Sequence, residues 1–131
     1  MASALYDKGR EGFLAGDIDW DANNIKCVLV DTGTYTVNLA THQFHSDLTG
    51  IVATSGNLLT KTVTNGTADA GDVTFSAVSG ATVEAIVVYQ DSGVSATSRL
   101  IAYIDSGTGL PVTPNGGDIT VQWNASGIFT L

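Results

Sequence analysis

Hydrophobic residues come in short runs along most of this chain, separated by clusters of Gly, Asp, Asn, Ser, Thr and Pro. From Ile25 onward that rhythm predicts strands. Ile25 to Val30 is apolar at nearly every position, as in a strand buried on both faces. Leu58 to Thr64 runs into Asn65-Gly66, a pair suited to a tight hairpin turn because both residues tolerate positive φ. Val73, Phe75 and Ala77 alternate with Thr74 and Ser76. Thr82 to Tyr89 and Arg99 to Ile104 are further long apolar runs. Ile119, Val121 and Trp123 alternate with Asp118, Thr120 and Gln122, and Ile128 to Leu131 forms a last short run. Strands at this spacing predict an all-β, mainly antiparallel domain, sandwich- or barrel-like. Pro111 and Pro114 fall in one loop between strands, where a missing backbone donor costs nothing.

Only the first segment, ASALYDKGREGFLAG, reads as a helix. Leu5, Phe13 and Leu14 share a face with Ala2 and Gly9 at helical spacings, and Gly16 suits the left-handed residue past a helix end. Gly9 and Gly12 each weaken such a helix by about 1 kcal/mol relative to Ala. It must therefore dock, either on its own sheet or on a neighbouring subunit.

The 131 residues fit one domain, 1–131, with 1–16 as a short helical segment. Thirteen acidic residues against five scattered basic ones give a formal charge of −8. Binding to phosphate backbones requires clustered Lys and Arg, so no nucleic-acid partner is expected. No apolar run approaches the roughly 20 residues of a membrane span, and the first residues lack the basic start and apolar core of a secretory signal. A single cysteine, Cys27, excludes an intrachain disulfide. Within IKCVLV it reads as a small buried hydrophobe.

The chemistry-bearing motif is Asp-Thr-Gly at 31–33, which ends the run VLV. This is how the catalytic loop of an aspartic protease begins, where two carboxylates share one proton. The idea meets three obstacles. Tyr35 stands where that family has a small or polar residue. No apolar-apolar-Gly brace follows; LTGIVA at 48–53 lacks the apolar pair. Moreover, Asp-Thr/Ser-Gly occurs three times, at Asp31, Asp91 and Asp105, each after an apolar run. Asp side chains accept backbone N–H groups where a ladder stops, and Gly allows the reversal, so the motif reads as a strand ending. Asp17, Asp19 and Asp21 resemble the start of a calcium loop, but Ala22 and Val28 replace its Gly and Glu; a solvated acidic turn is expected. His42 and His45 lie three apart without a third strong ligand nearby. Asn65-Gly-Thr and Asn124-Ala-Ser match the glycosylation pattern, which has meaning only in a secretory context. No catalytic, cofactor or metal residue is assigned.

Two stretches, LYDKGREGFLAGDIDWDANNIKCVLVDTGTYTVNLATHQFHSDL and SRLIAYIDSGTGLPVTPNGGDITVQW, resemble a group of small structural proteins of tailed bacteriophages and prophages. The likeness spans most of the chain, is stronger at the two ends than around residues 53 to 80, and carries no catalytic motif. It implies a non-enzymatic virion component assembled in the bacterial host cytoplasm, nearest to a capsid cement or decoration protein. A tail or head–tail connector component is the alternative. The partners it implies are the major capsid protein, other virion proteins or further copies of the chain. An acidic surface suits the outside of a shell, away from the packaged genome. Two regions are candidate interfaces. The N-terminal segment, with Leu5, Tyr6, Phe13 and Leu14, is poorly stabilised alone and suits a docking arm. The loop after Ile104 carries Leu110 and Val112, exposed unless a subunit or the sheet end covers them. A different alternative, a carbohydrate- or host-surface-binding β module, calls for exposed rings at Trp20, Tyr35 or Tyr103.

Overall fold

The computed structural model describes residues 3–105, 110–123 and 125–131. Its strands are β1 (Ser3–Leu5), β2 (Ile25–Val30), β3 (Ile51–Thr54), β4 (Thr62–Thr64), β5 (Thr67–Asp69), β6 (Val73–Phe75), β7 (Ala85–Gln90), β8 (Leu100–Ile104), β9 (Ile119–Val121) and β10 (Phe129–Thr130). One helix, α1 (Asp7–Leu14), follows β1. Every strand pairing is antiparallel. The main sheet has five strands in the order β1-β8-β7-β2-β3; β10-β5-β4 and β6-β9 form two small sheets. The sheets do not close into a barrel. Their arrangement is sandwich-like, with the small sheets contributing to the core on one face of the large one.

The apolar run of β2 has the predicted consequence. Ile25, Cys27 and Leu29 face a core shared with Ile86, Val88, Ile104, Phe75 and Trp123. Val28 and Val30 face the other way, toward Tyr6, Tyr35, Leu48, Val87 and Tyr103. A sheet buried on both faces needs two covers. The small sheets and the 16–24 segment supply one, and the excursion 31–50 between β2 and β3 supplies the other.

The Asn65-Gly66 hairpin forms as predicted, with φ of 52° and 78° and Thr64 opposite Thr67. Gly16, at φ 78°, sits just past the helix end. Other elements differ in extent. Leu58 is buried but lies outside β4, and Ala77 takes a left-handed φ of 50° that ends the β6 run. Strand β3 has no alternating pattern in sequence: it is an edge whose residues are exposed or half-buried.

Of the two docking sites open to the N-terminal segment, its own sheet or a neighbouring subunit, it takes its own sheet here. Ser3–Leu5 is a strand, not helix, and extends the main sheet by pairing with Ala102 to Ile104. The Tyr6 N–H donates to the Ile101 carbonyl at 3.0 Å, and Tyr6 is fully buried. The helix then lies against the start of β8, covering an edge that would otherwise present unpaired backbone groups. Its glycines make that approach possible. A Cβ on Gly9 would stand 2.7 Å from the Leu100 carbonyl oxygen, and one on Gly12 would stand 2.6 Å from Ile18 Cδ1. The residues that weaken the isolated helix are those that let it dock.

Gly9→Ala should therefore destabilise the protein by about 1–3 kcal/mol despite the gain in helix propensity, because the clash is with backbone. Gly12→Ala should cost less, since the Ile18 side chain can turn; urea denaturation of the two variants gives the ranking. Deleting residues 1–16 should abolish cooperative unfolding, measured by circular dichroism. A truncated protein with an unchanged transition would restore the arm.

Candidate functional site

Two of the three Asp-Thr/Ser-Gly motifs have a visible structural use. The Asp31 carboxylate accepts the Gly33 N–H at 2.9 Å and the Thr34 hydroxyl at 3.3 Å. Asp91 repeats the turn, accepting the Gly93 N–H at 3.0 Å, and pairs with Lys26 at 2.9 Å. These carboxylates close strand ends. They also stand at opposite ends of the sheet, because Val30 faces Ala85 while Ile25 faces Gln90. Six residues at about 3.4 Å each place them roughly 20 Å apart. Asp105 follows β8 at the Asp31 end, but β7 lies between β2 and β8, which puts about 10 Å between the strands. A proton-sharing dyad needs direct contact. The Ser and Gly of this third copy, 106 and 107, lie outside the described residues, as does the sequon asparagine at 124.

Cys27 is fully buried, and loss of solvent pushes its thiol up to about 12, out of reach of thiolate chemistry at neutral pH. His42 and His45 are committed to different partners. The Tyr6 and Tyr35 hydroxyls bond at 2.9 Å, and the Tyr35 hydroxyl meets His42 Nδ1 at 2.7 Å. The Asn38 backbone N–H also donates to that nitrogen, at 3.3 Å. Nδ1 is therefore an acceptor, Tyr35 donates to it, and Tyr6 donates to Tyr35. His45 Nδ1 bonds Ser95 Oγ at 2.8 Å, and its ring packs on Tyr89. Asp47 accepts the N–H groups of Gln43 and Phe44 at 2.8 and 3.0 Å. Asp17, Asp19 and Asp21 are exposed on an acidic turn, and Asp17 pairs with Arg99 at 3.1 Å. Among the described residues no three His, Cys, Asp or Glu side chains gather to hold a metal.

The interface candidates separate. Tyr6 is core. Leu110 and Val112 are half-buried against the main core, and Val112 exchanges two backbone bonds with Val83 at 2.8 and 2.9 Å; they fold back over the sheet end. Leu14 projects from the helix end, 89% exposed. Leu5 and Phe13 are half-buried and line two hollows that meet at Phe129.

The larger hollow is an open groove of about 390 Å³. Its first wall is the turn after α1, with Phe13, Ile18 and Trp20. Its second is the inner face of the β10-β5-β4 sheet, where Val63 and Phe129 flank Ala68. Trp20 meets Phe129 edge-on, with ring centres 5.2 Å apart, and donates its indole N–H to the Asp69 carbonyl at 3.1 Å. Lys61 bonds the Asn23 carbonyl, tying the walls together a second time. Beyond this floor the lining is uncovered: Val63 is 58% and Leu131 61% exposed. Covering them would stabilise a complex by on the order of 1 kcal/mol each. Apart from the Asp19 and Asp21 carboxylates at its rim, the groove is lined by apolar side chains and glycine. Phe13 was the one groove residue among the sequence candidates. The hairpin put Val63 and Ala68 on one face, but the pairing of β10 beside them, across sixty residues, has no local signature.

Burial holds the His45 imidazole below its usual range, while backbone N–H donors hold the Asp47 carboxylate low. A histidine whose folded pKa lies below its unfolded value of about 6.5 binds its proton first in the unfolded chain. Stability should thus be level above about pH 6.5 and fall as the pH drops below it, and His45→Gln should flatten this limb. For Asp47, and for Asp91, held low mainly by Lys26, the loss should begin only below about pH 4. Thermal melts across pH 3 to 8 separate the two windows; a wild-type curve level from pH 7 to 5 would refute the first.

Comparison with protein-family models and with curated proteins finds no match, so the functional reading rests on the groove and on the running likeness of the two sequence stretches.

Proposed function

We propose that this chain is a non-enzymatic structural protein of a tailed-phage virion, a capsid cement or decoration protein that stabilises the shell through protein–protein contacts. The observation that carries the contact role is the groove: an apolar surface between two tied walls, with Val63 and Leu131 left facing solvent. Exposed apolar lining of this kind suits an interface. The virion assignment rests on the resemblance of residues 5–48 and 98–123 to small phage structural proteins. Two further features agree with it. A charge of −8 keeps free subunits apart before assembly, and many weak, symmetric contacts add up on a shell. The carbohydrate-binding alternative gains no support, since Trp20, Tyr35 and Tyr103 are all buried and do not stand out as surface platforms.

Quantitative mass spectrometry of particles purified from a host carrying the gene is the test. Copy number comparable to the major capsid protein is the expected result. A few dozen copies or fewer would reassign the chain to a connector or tail, and absence from particles would end the proposal.

A further inference from the structure

The groove also carries information about what it receives. Asp19 and Asp21 line it, and among the described residues neither carboxylate belongs to an ion pair. Elsewhere most carboxylates outside ion pairs accept hydrogen bonds, among them Asp31, Asp47, Asp72, Glu84 and Asp118, and the basic residues are all engaged. Lys8 pairs with Glu11, Arg10 with Asp7, Lys26 with Asp91 and Arg99 with Asp17, while Lys61 bonds the Asn23 carbonyl. All five basic residues of the chain are thus engaged internally. Among the described residues no basic side chain is left over for the groove, and a second copy would bring the same engaged set together with two more carboxylates for the same cleft. Self-docking there sets like charges against each other.

We infer that the groove receives a segment of a different protein in which a large aliphatic or aromatic side chain stands next to Lys or Arg. The apolar side chain fills the space over Trp20, Ala68 and Phe129 and covers Val63 and Leu131. The cation meets Asp19 or Asp21 at the rim. The apolar part supplies most of the affinity, and the rim charges select the partner and speed encounter. The walls are already tied by the Trp20–Asp69 and Lys61–Asn23 bonds, so little ordering is needed on binding. This rests on the reading of the chain as a contact protein and adds the chemistry of the partner.

The experiment is selection of a random peptide library on the immobilised full chain, followed by affinity measurement of the enriched peptides. The expected result is enrichment of Leu, Ile, Phe or Trp beside Lys or Arg. Binding should weaken about tenfold in the Asp19→Lys, Asp21→Lys double variant, as two exposed pairs turn from attraction to repulsion, and should be lost in Val63→Asp. All three positions are exposed, and matching thermal melts exclude misfolding. Should a variant melt early, the salt dependence of wild-type binding reads the same charge contribution. Enriched peptides without excess basic residues, or binding indifferent to both substitutions and to salt, would overturn the inference. So would a concentration-dependent dimer in sedimentation that Val63→Asp dissolves, which would assign the groove to a second copy. Particle composition is measured separately, so failure of either test leaves the other intact.

Discussion

Three adjacent strands, β2, β7 and β8, are apolar on both faces, and the rest of the fold answers to that. Such strands cannot leave either side to water, so the remaining chain is spent on cover. The excursion 31–50 lies over one face. The hairpin β4–β5, the pair β6–β9 and the segment holding Trp20 lie over the other. Helix α1 and β1 close the β8 edge. Most of the cover is short: apart from four-residue β3, the flanking strands are two or three residues long, too short to be stable on their own. Large side chains in or beside β6, β9 and β10, namely Phe75, Trp123 and Phe129, anchor that side by reaching the shared core.

This division also explains what was legible in the sequence. The central strands announce themselves, because burial on both faces forces an unbroken apolar run. The Asn65-Gly66 turn and the Gly16 helix stop are equally plain, since each answers a backbone requirement that few other residues meet. The covering layers are written differently. Leu58 fills the core from outside a strand, so an apolar residue there says nothing about extended pairing. The N-terminal segment left both docking sites open because Gly9 and Gly12 were weighed by helix propensity alone; their value lies in the distance to β8, which no local pattern records. For Leu110 and Val112 the sequence left open whether a subunit or the sheet end covers them, and the bridge from Val112 to Val83 places them over the sheet end. The groove was the least legible feature. It joins residues from three separated segments, and of these only Phe13 stood out in advance as an interface residue.

The protease-like motif shows how the same residues support two arguments. Asp-Thr-Gly serves a dyad or a strand ending with equal local chemistry. What separates the two is the partner carboxylate: within one chain the antiparallel register sends Asp31 and Asp91 to opposite ends, so a dyad would have to be completed by a second copy. Repetition was the signal available in the sequence, since a device used three times in one small domain is more readily a rule of construction than a site.

The hydroxyl chain from Tyr6 through Tyr35 to His42 has one further consequence. It joins the first residues of the chain to the 31–50 excursion, two segments that otherwise cover different parts of the sheet. If the excursion lifts away alone, it strands the buried Tyr6 hydroxyl, and an orphaned polar group costs on the order of 1–3 kcal/mol. Partial opening of the excursion is therefore discouraged unless its neighbour opens too. The two ought to behave as a single cooperative unit, a clasp shared between parts of the chain that are remote in sequence.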